Sequence, residues 1–255
     1  MPQSFRERVR GGERVVGTFL KTACHQTVEV LGASGLDFIV VDAEHAPFDR
    51  NQMDLCLLAA RAAGMPALVR IPDDAARTAL DVLDMGAAGL LVPHAKSADD
   101  AARAFAISRY RGGVRGFSNS PRAGGYGRVG MAAMVEAADR DTVVVCQVED
   151  REAVDDIDAI AAVRDVDCLF IGRADLAMSY GVTDVNHATV DRAVERICEG
   201  SRKAGMPVGV FLGDTREVAR FAGMGANLFV VGSDQSMLRN QASALVAQFC
   251  AVPAT

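Results

Sequence analysis

Apolar residues along the chain gather into eight short runs separated by longer stretches of mixed character. The runs are Val15–Lys21, Phe38–Glu44, Ala67–Ile71, Gly89–Pro93, Thr142–Glu149, Cys168–Gly172, Pro207–Leu212 and Leu228–Ser233. Most are unbroken rather than alternating, as expected of strands covered on both faces in a parallel sheet under helices. Between them, Arg50–Ala63 places Met53, Leu57, Leu58 and Ala62 on one helical face. Helical periodicity recurs at Ala75–Leu83, Ala98–Ser108, Arg151–Val163, Ala188–Ala204, Thr215–Ala222 and Gln235–Cys250. Gly64, Gly86, Gly205 and Gly225 stand where helices should end, and Asp73, Ser97 and Asp214 where they should begin.

The segments AAGMPALV, DMGAAGLLV and KAGMPVGV repeat one cadence of helix end, glycine and buried strand. Eight such units, spaced by roughly 20–30 residues, predict a single α/β domain over 1–255, a (β/α)8 TIM barrel. A doubly wound open sheet would carry a Gly-rich turn after its first strand, but that turn reads Lys21-Thr22-Ala23-Cys24-His25. One connection is long. The segment SRYRGGVRGFSNSPRAGGYGRVG and a short helix at Met131–Ala138 precede the fifth run. Because this stretch lies between strands 4 and 5, it is expected to project from the catalytic face, with its arginines as a lid for an anionic substrate or as a subunit contact.

Composition narrows the function. Half of the 255 residues are hydrophobic, enough for one large core. A net charge of −6 offers no footprint for nucleic acid, and no apolar run approaches the roughly 20 residues that span a bilayer. The six cysteines form no CxxC pair and no zinc-finger spacing, and the opening MPQSFRERVR is polar and unlike a secretory leader. Reduced thiols and a cytoplasmic location are the expectation.

In such a barrel the chemistry belongs at the carboxyl ends of the strands. Ionisable residues concentrate at four of them: Asp42, Glu44 and His45 after strand 2, Arg70 after strand 3, Gln147 and Glu149 on strand 5, and Asp175 after strand 6. Glu149 and Asp175, from adjacent strands, are candidate ligands for a hard divalent cation. Helix capping is the alternative use of either carboxylate. Gln147 shares a strand face with Glu149 and is placed to hydrogen-bond a substrate oxygen. Arg70 offers a planar fork to an enolate or carboxylate, alongside a structural pair with Asp42. His45 suits proton transfer near neutral pH. His25, His94 and His187 read as structural or surface residues, and Gly213 with Gly232-Ser233 as a weak phosphate-site signal.

Taken together, GLDFIVVDAEHAPFD (35–49), PALVRI (66–71), LDMGAAGLLVPH (83–94), RYRGGVRGFSNSPRAGGYG (109–127), VVVCQVEDREAV (143–154) and CLFIGRADLAMSYG (168–181) resemble the HpcH/HpaI aldolases. These are 4-hydroxy-2-oxoheptanedioate aldolase-type enzymes of the phosphoenolpyruvate/pyruvate barrel superfamily. The resemblance implies a metal-dependent class II aldolase that cleaves or forms 4-hydroxy-2-oxo acids, with pyruvate and an aldehyde as partners. It implies Glu149 and Asp175 as ligands of Mg²⁺, Mn²⁺ or Co²⁺, and Gln147 on the bound oxo acid. Backbone N–H groups around Gly172, Ala174 and Asp175 would hold its carboxylate. Arg70 would stabilise the enolate, His45 would be the general base, and Asp84 would raise the basicity of that histidine. Asp84, however, precedes strand 4 on the opposite face, so it reaches His45 only if the chain turns back or a second subunit supplies it; Asp42 is the other candidate to orient His45. The stretch GRADLA departs from the proline and serine of many close relatives, which bears on the acceptor aldehyde, expected near the 115–127 loop.

Two rival functions remain. A CoA-ester lyase of the citrate lyase β or malyl-CoA type would be expected to carry an extended C-terminal segment for CoA. A non-catalytic binding barrel would have no turnover to lose on metal depletion. Lys21, at the end of strand 1, leaves a Schiff-base aldolase as a minor variant. The apolar face in SMLRNQASALVAQF predicts a homo-oligomer, a trimer or hexamer by resemblance.

Overall fold

A computed structural model describes residues 3–252. Eight parallel strands close into a barrel: β1 (Val15–Leu20), β2 (Phe38–Asp42), β3 (Ala67–Arg70), β4 (Gly89–Val92), β5 (Val143–Val148), β6 (Cys168–Ile171), β7 (Val208–Leu212) and β8 (Ala226–Ser233). Each pairs with the next, and β8 returns to β1. All eight predicted strands are present, within two residues at either end.

The helices are α1 (Phe5–Arg10), α2 (His25–Gly32), α3 (Arg50–Ala62), α4 (Ala76–Asp84), α5 (Ala98–Ser108), α6 (Met131–Asp141), α7 (Arg151–Asp155), α8 (Ile157–Ala161), α9 (Arg173–Ser179), α10 (Ala188–Ala204), α11 (Val218–Gly223) and α12 (Asp234–Cys250). Gly64, Gly86, Gly205 and Gly225 all take the positive φ expected where a helix hands over to a strand. Ser97 and Asp214 accept the predicted cap bonds. Asp73 does not cap α4; it accepts from Ala75 N–H one residue before the helix begins. On α3 the buried face is Met53, Cys56, Leu57, Ala59 and Ala60, while Leu58 points outward. The single helix expected over 151–163 is two, because Asp156 leaves helical geometry (φ −97°, ψ 12°) and its carboxylate accepts from Ala98 N–H.

Strand periodicity divides the core into two. Every second residue faces the barrel axis, so Phe19, Phe38, Val40, Leu68, Leu91, Val143, Val145, Phe170, Leu228 and Val230 fill the interior. The intervening residues, such as Ile39, Val41, Val144 and Leu169, pack against the helices. Interior glycines make room for the large rings: a Cβ on Gly17 would meet the Phe38 ring at 2.8 Å, and one on Gly209 would meet Phe170 at 2.7 Å. Carried to the strand ends, the same parity turns Lys21, Asp42, Arg70, Gln147, Glu149 and Phe211 toward the mouth.

The amino-terminal mouth is closed by α1. Phe5 packs on Phe38 (centroids 5.2 Å apart), and Arg6 reaches the fully buried Asp167 at 2.8 Å. Asp167 also meets Arg10 at 3.3 Å and accepts from Val144 N–H.

The long segment 109–130 lies on this closed side, not on the catalytic face. It follows α5, which runs antiparallel to β4 and returns the chain to the amino-terminal end. There Arg115 pairs with Asp84 at 3.0 Å, and Arg122 donates to Met85 O at 2.7 Å and pairs with Asp54 at 2.7 Å. Arg109 is buried and donates to Thr142 O. Three of the five arginines are therefore structural ties of this segment to the barrel.

The Asp167 cluster generates a stability prediction. Asp167→Ala leaves the part-buried Arg6 without its carboxylate and the buried Val144 N–H without its acceptor, and should lower the unfolding free energy by about 3 kcal/mol in urea titrations. Asp158→Ala, which removes an exposed pair with Arg196, should change it by less than about 1 kcal/mol. Equal small losses in both would show that the amino-terminal plug is not held through Asp167.

Candidate active site

The carboxyl ends of the strands surround a cavity of about 490 Å³. Lys21, His45, Arg70, Gln147, Gly172, Ala174 and Asp175 line it, with Phe19, Phe170 and Phe211 as its apolar walls.

On one side stands a paired cation. Arg70 donates Nε to Asp42 Oδ1 at 2.9 Å and Nη2 to Oδ2 at 2.7 Å. Lys21 Nζ lies 3.1 Å from the same carboxylate, and Glu44 lies 3.3 Å from Arg70 Nε. The Phe19 ring backs the guanidinium at 4.6 Å. Burial would raise the Asp42 pKa, but the Arg70 hydrogen bonds and charge outweigh it, leaving Asp42 below the usual carboxylate range. The structural pair thus coexists with a fork held ready at the cavity wall. His45 sits beside it, about half exposed, with its backbone N–H on Asp42 Oδ1 at 3.1 Å and its Nε2 3.7 Å from Glu44.

On the other side stands a buried, unneutralised carboxyl. Glu149 is 2 % exposed. Its Oε1 accepts from His94 N–H at 2.9 Å, and its Oε2 accepts from Gln147 Nε2. Burial pushes its pKa up to about 7, and the charges of Asp175 and Glu44 add to the rise. Gln147 Oε1 is buried with no hydrogen-bond partner among the described residues. A Cβ on Gly172 would meet Glu149 Oε2 at 2.5 Å and Gln147 Nε2 at 2.8 Å, so only glycine lets β6 pass this pair.

Asp175, in the first turn of α9, is exposed and makes no side-chain cap bond. Helix capping does not account for it. No group of three or more His, Cys, Asp or Glu suited to a metal occurs among the described residues. The donor set is instead two carboxylates, one of them pushed toward its neutral form by burial, beside an unpartnered amide oxygen. That set fits a hard oxygen-seeking dication whose remaining positions are taken by water and substrate.

Sequence reasoning missed His94. It takes a left-handed conformation (φ 53°), and this turn aims its backbone N–H at Glu149. Its Nδ1 lies 3.0 Å from Asp150 and 3.5 Å from Glu149. Burial would lower the imidazole pKa, yet the Asp150 hydrogen bond and the two acidic charges raise it overall. Its place directly after strand 4 in LLVPH was the available signal. Asp84 is not brought to the cavity by this chain; it is tied to Arg115 on the amino-terminal side. Arg173 is drawn outward to Glu217 at 2.7 Å, over the Phe221 ring.

Comparison with known proteins follows the same lines. Residues 15–241 match the model of the HpcH/HpaI aldolase/citrate lyase family. A 5-keto-4-deoxy-D-glucarate aldolase of Enterobacter sp. strain 638 is 32% identical, covering 97% of both chains. A hydroxypyruvate/pyruvate aldolase of Paraburkholderia phytofirmans is 33% identical, covering 94% of this chain and 95% of that one. The crystal structure of an HpcH/HpaI aldolase/citrate lyase family protein from Burkholderia cenocepacia superposes with a TM-score of 0.91 at 32% identity, covering 96% of this chain and 98% of that one.

The raised Glu149 pKa generates a prediction with a definite sign. A cation that needs the carboxylate must displace its proton, so apparent Mn²⁺ or Mg²⁺ affinity should fall about tenfold per pH unit below about 7. In the metal-free chain, neutral Glu149 contributes stability that is full below the ordinary value of 4.5 and is lost as pH rises through about 7. Calorimetric Mn²⁺ titrations between pH 5.5 and 8, paralleled on Glu149→Gln, check this. A wild-type affinity that is flat with pH would remove Glu149 from the ligand set.

Proposed function

The chain belongs to the HpcH/HpaI aldolase/citrate lyase family, and on that premise we propose that it cleaves 4-hydroxy-2-oxo acids to pyruvate and an aldehyde, and joins them in reverse. It is a carbon–carbon lyase, as its relatives are. The observation that carries the finer reading is the convergence of the Arg70 fork, His45, Gln147 and Asp175 on one cavity, with Glu149 hydrogen-bonded to Gln147 behind its wall.

Glu149 and Asp175 would hold a divalent ion, which when bound supplies positive charge to draw electrons from the oxo acid oxygens. Gln147 places its unpartnered Oε1 to accept from a hydroxyl of the bound acid. Backbone N–H groups of Ala174 and Asp175, in the first turn of α9, face the carboxylate of the oxo acid. In the cleavage direction His45 takes the proton of the 4-hydroxyl. The C3–C4 bond breaks, its electron pair passes into the C2–C3 enolate, and the aldehyde leaves. Arg70, pre-oriented by Asp42, faces the oxygen on which that charge develops, so it acts more strongly on the transition state than on the substrate. Protonation at C3 then gives pyruvate. Within one chain Asp42 would orient Arg70 through its side chain and His45 only through its backbone N–H, while the imidazole faces Glu44; Asp84 would act on His45 only across a subunit boundary.

Assembly completes the proposal. Beyond its first turn α12 touches little of its own barrel. Leu238, Leu245, Val246 and Phe249 lie along it at 74, 56, 63 and 80 % exposure, and their spacing of seven, one and three residues gathers them on one side. A stripe of this kind needs a covering surface, and we assign it to further copies of the chain in a trimer or hexamer.

Pyruvate release from a panel of 4-hydroxy-2-oxo acids should be abolished by EDTA and restored by Mg²⁺, Mn²⁺ or Co²⁺. Turnover unaffected by EDTA would overturn metal dependence, and cleavage of CoA esters alone would redirect the reading to the CoA-ester lyases. Arg70→Ala should lower kcat by about 10²- to 10³-fold with the fold intact by circular dichroism. The wild-type chain should sediment as a homo-oligomer that Phe249→Asp dissociates; a wild-type monomer refutes the assembly.

A further inference from the structure

Two acids follow β2 into the cavity wall, and only one of them is fully matched. Asp42 takes both Arg70 hydrogen bonds, at 2.9 and 2.7 Å, the Lys21 ammonium at 3.1 Å and the His45 backbone N–H at 3.1 Å. The Glu44 carboxylate accepts no hydrogen bond from the described residues. Its Oε2 stands 3.3 Å from Arg70 Nε and 3.7 Å from His45 Nε2. Arg70 Nε carries a single hydrogen, and Asp42 Oδ1 already receives it. Glu44 is therefore attracted to the guanidinium without being bonded to it, and its lone pairs remain open on the side of the imidazole.

A short turn brings these neighbours together. Ala43 N–H still donates to Arg70 O, which keeps the end of β2 on β3. The chain then turns through Ala43–His45, and the bond from His45 N–H to Asp42 Oδ1 closes that turn. Glu44 and His45 are folded back in this way over the same guanidinium. His45 lines the cavity and its side chain is 54 % exposed, whereas Glu44 does not line it and is 14 % exposed. The order from the wall outward is carboxylate, imidazole, cavity. An acid behind a base that faces the reacting group is the arrangement by which a histidine is held in one tautomer.

We infer that Glu44 is the positioning residue of His45: it keeps the imidazole proton on Nε2 and so makes Nδ1 the nitrogen that takes the proton of the 4-hydroxyl. The inference rests on the aldolase reading, in which His45 is the base. In the cleavage step the hydroxyl proton passes to Nδ1, the C3–C4 bond breaks, its electron pair enters the enolate and C4 becomes the aldehyde carbonyl. The imidazole gains one positive charge, and Glu44 supplies one negative charge on the far side of the ring. The 3.7 Å separation shortens to a hydrogen bond once substrate fills the cavity, as such contacts commonly do. Asp42 and Glu44 thus divide the work, one fixing Arg70 and the other His45, and the pair is complete within one chain.

The test separates this assignment from the reading beneath it. A wild-type enzyme that cleaves no 4-hydroxy-2-oxo acid with any divalent metal overturns the aldolase reading itself. Given cleavage, Glu44→Gln should lower its kcat by about tenfold to a hundredfold with KM within about threefold, and Glu44→Asp, which keeps the charge, should be at least about fivefold faster than Glu44→Gln. Oxaloacetate serves as the second substrate. It loses its C4 carboxylate as carbon dioxide and leaves the same enolate with no hydroxyl proton to remove, so its decarboxylation should fall by less than about threefold in Glu44→Gln. With nitrogen-15 in the four histidines, solid-state NMR at about pH 8 should show His45 (the signal missing from His45→Gln) as the Nε2–H tautomer, and Glu44→Ala should turn it into a mixture. An Nδ1–H tautomer in the wild-type enzyme, cleavage unchanged in Glu44→Gln, or cleavage and decarboxylation falling together there, as they would if Glu44 acted through Arg70, would each overturn the assignment.

Discussion

A carboxyl group sealed from water is unstable in its charged form unless something positive faces it. Glu149 is in that position at the end of β5. Both of its oxygens are met by uncharged N–H donors, from the His94 backbone and the Gln147 amide; the half-exposed His94 imidazole lies 3.5 Å away, and the charges of Asp175 and Glu44 oppose ionisation further. Much of the upper barrel follows from this one group. Gly172 has no side chain because any Cβ would collide with Glu149. His94 takes a left-handed turn, uncommon for a residue with a side chain, and the turn delivers the backbone donor. Gln147 spends its amide hydrogens on Glu149 and is left with a buried oxygen that has no donor. Each is a local departure from the most stable arrangement, and all of them converge on one carboxyl that burial pushes toward its neutral form.

Asp42 shows the opposite resolution of the same problem. It too is fully buried at a strand end, but Arg70 and Lys21 lie against it and hold it ionised. Two buried carboxyls behind the same barrel mouth are therefore driven in opposite directions, and a guanidinium and an ammonium laid directly against one of them make the difference. The result is a division of roles. The Asp42–Arg70 pair is complete and rigid, a fixed field at one wall. Glu149 with Asp175 is incomplete, and can be completed by a partner from outside the chain.

The strands were legible in the sequence because burial on both faces writes an unbroken apolar run, and strand parity then predicts which end residues look inward. That is why Asp42, Arg70, Gln147 and Glu149 could be placed together before any coordinates. What could not be read has physical causes. Helices α1, α2 and α9 bury only one to three side chains each, too few to set a periodicity. The break between α7 and α8 comes from a bond between Asp156 and Ala98, which are 58 residues apart. The position of 109–130 between strands 4 and 5 points to the catalytic face, but α5 returns the chain to the far side before the segment begins. His94 was passed over because its contribution is a backbone N–H in an unusual conformation, and neither is written in the identity of the side chain.

The two faces of the barrel carry contrary demands, and the chain meets them with different chemistry. At the amino-terminal mouth acids are matched by arginines: Asp167 with Arg6 and Arg10, Asp84 with Arg115, Asp54 with Arg122. At the carboxyl-terminal mouth charges are left open. Helix α12 joins this imbalance to assembly. Its first turn is locked to β1 and β8 through Asp234 and Ser233, while its remaining turns present Leu238, Leu245 and Phe249 to water. Covering the stripe removes hydrophobic surface from water at roughly 25 cal/mol per Å² and holds the helix against its own cavity. Because one helix carries both the stripe and part of the cavity rim, the proposed assembly would bear on the shape of the site.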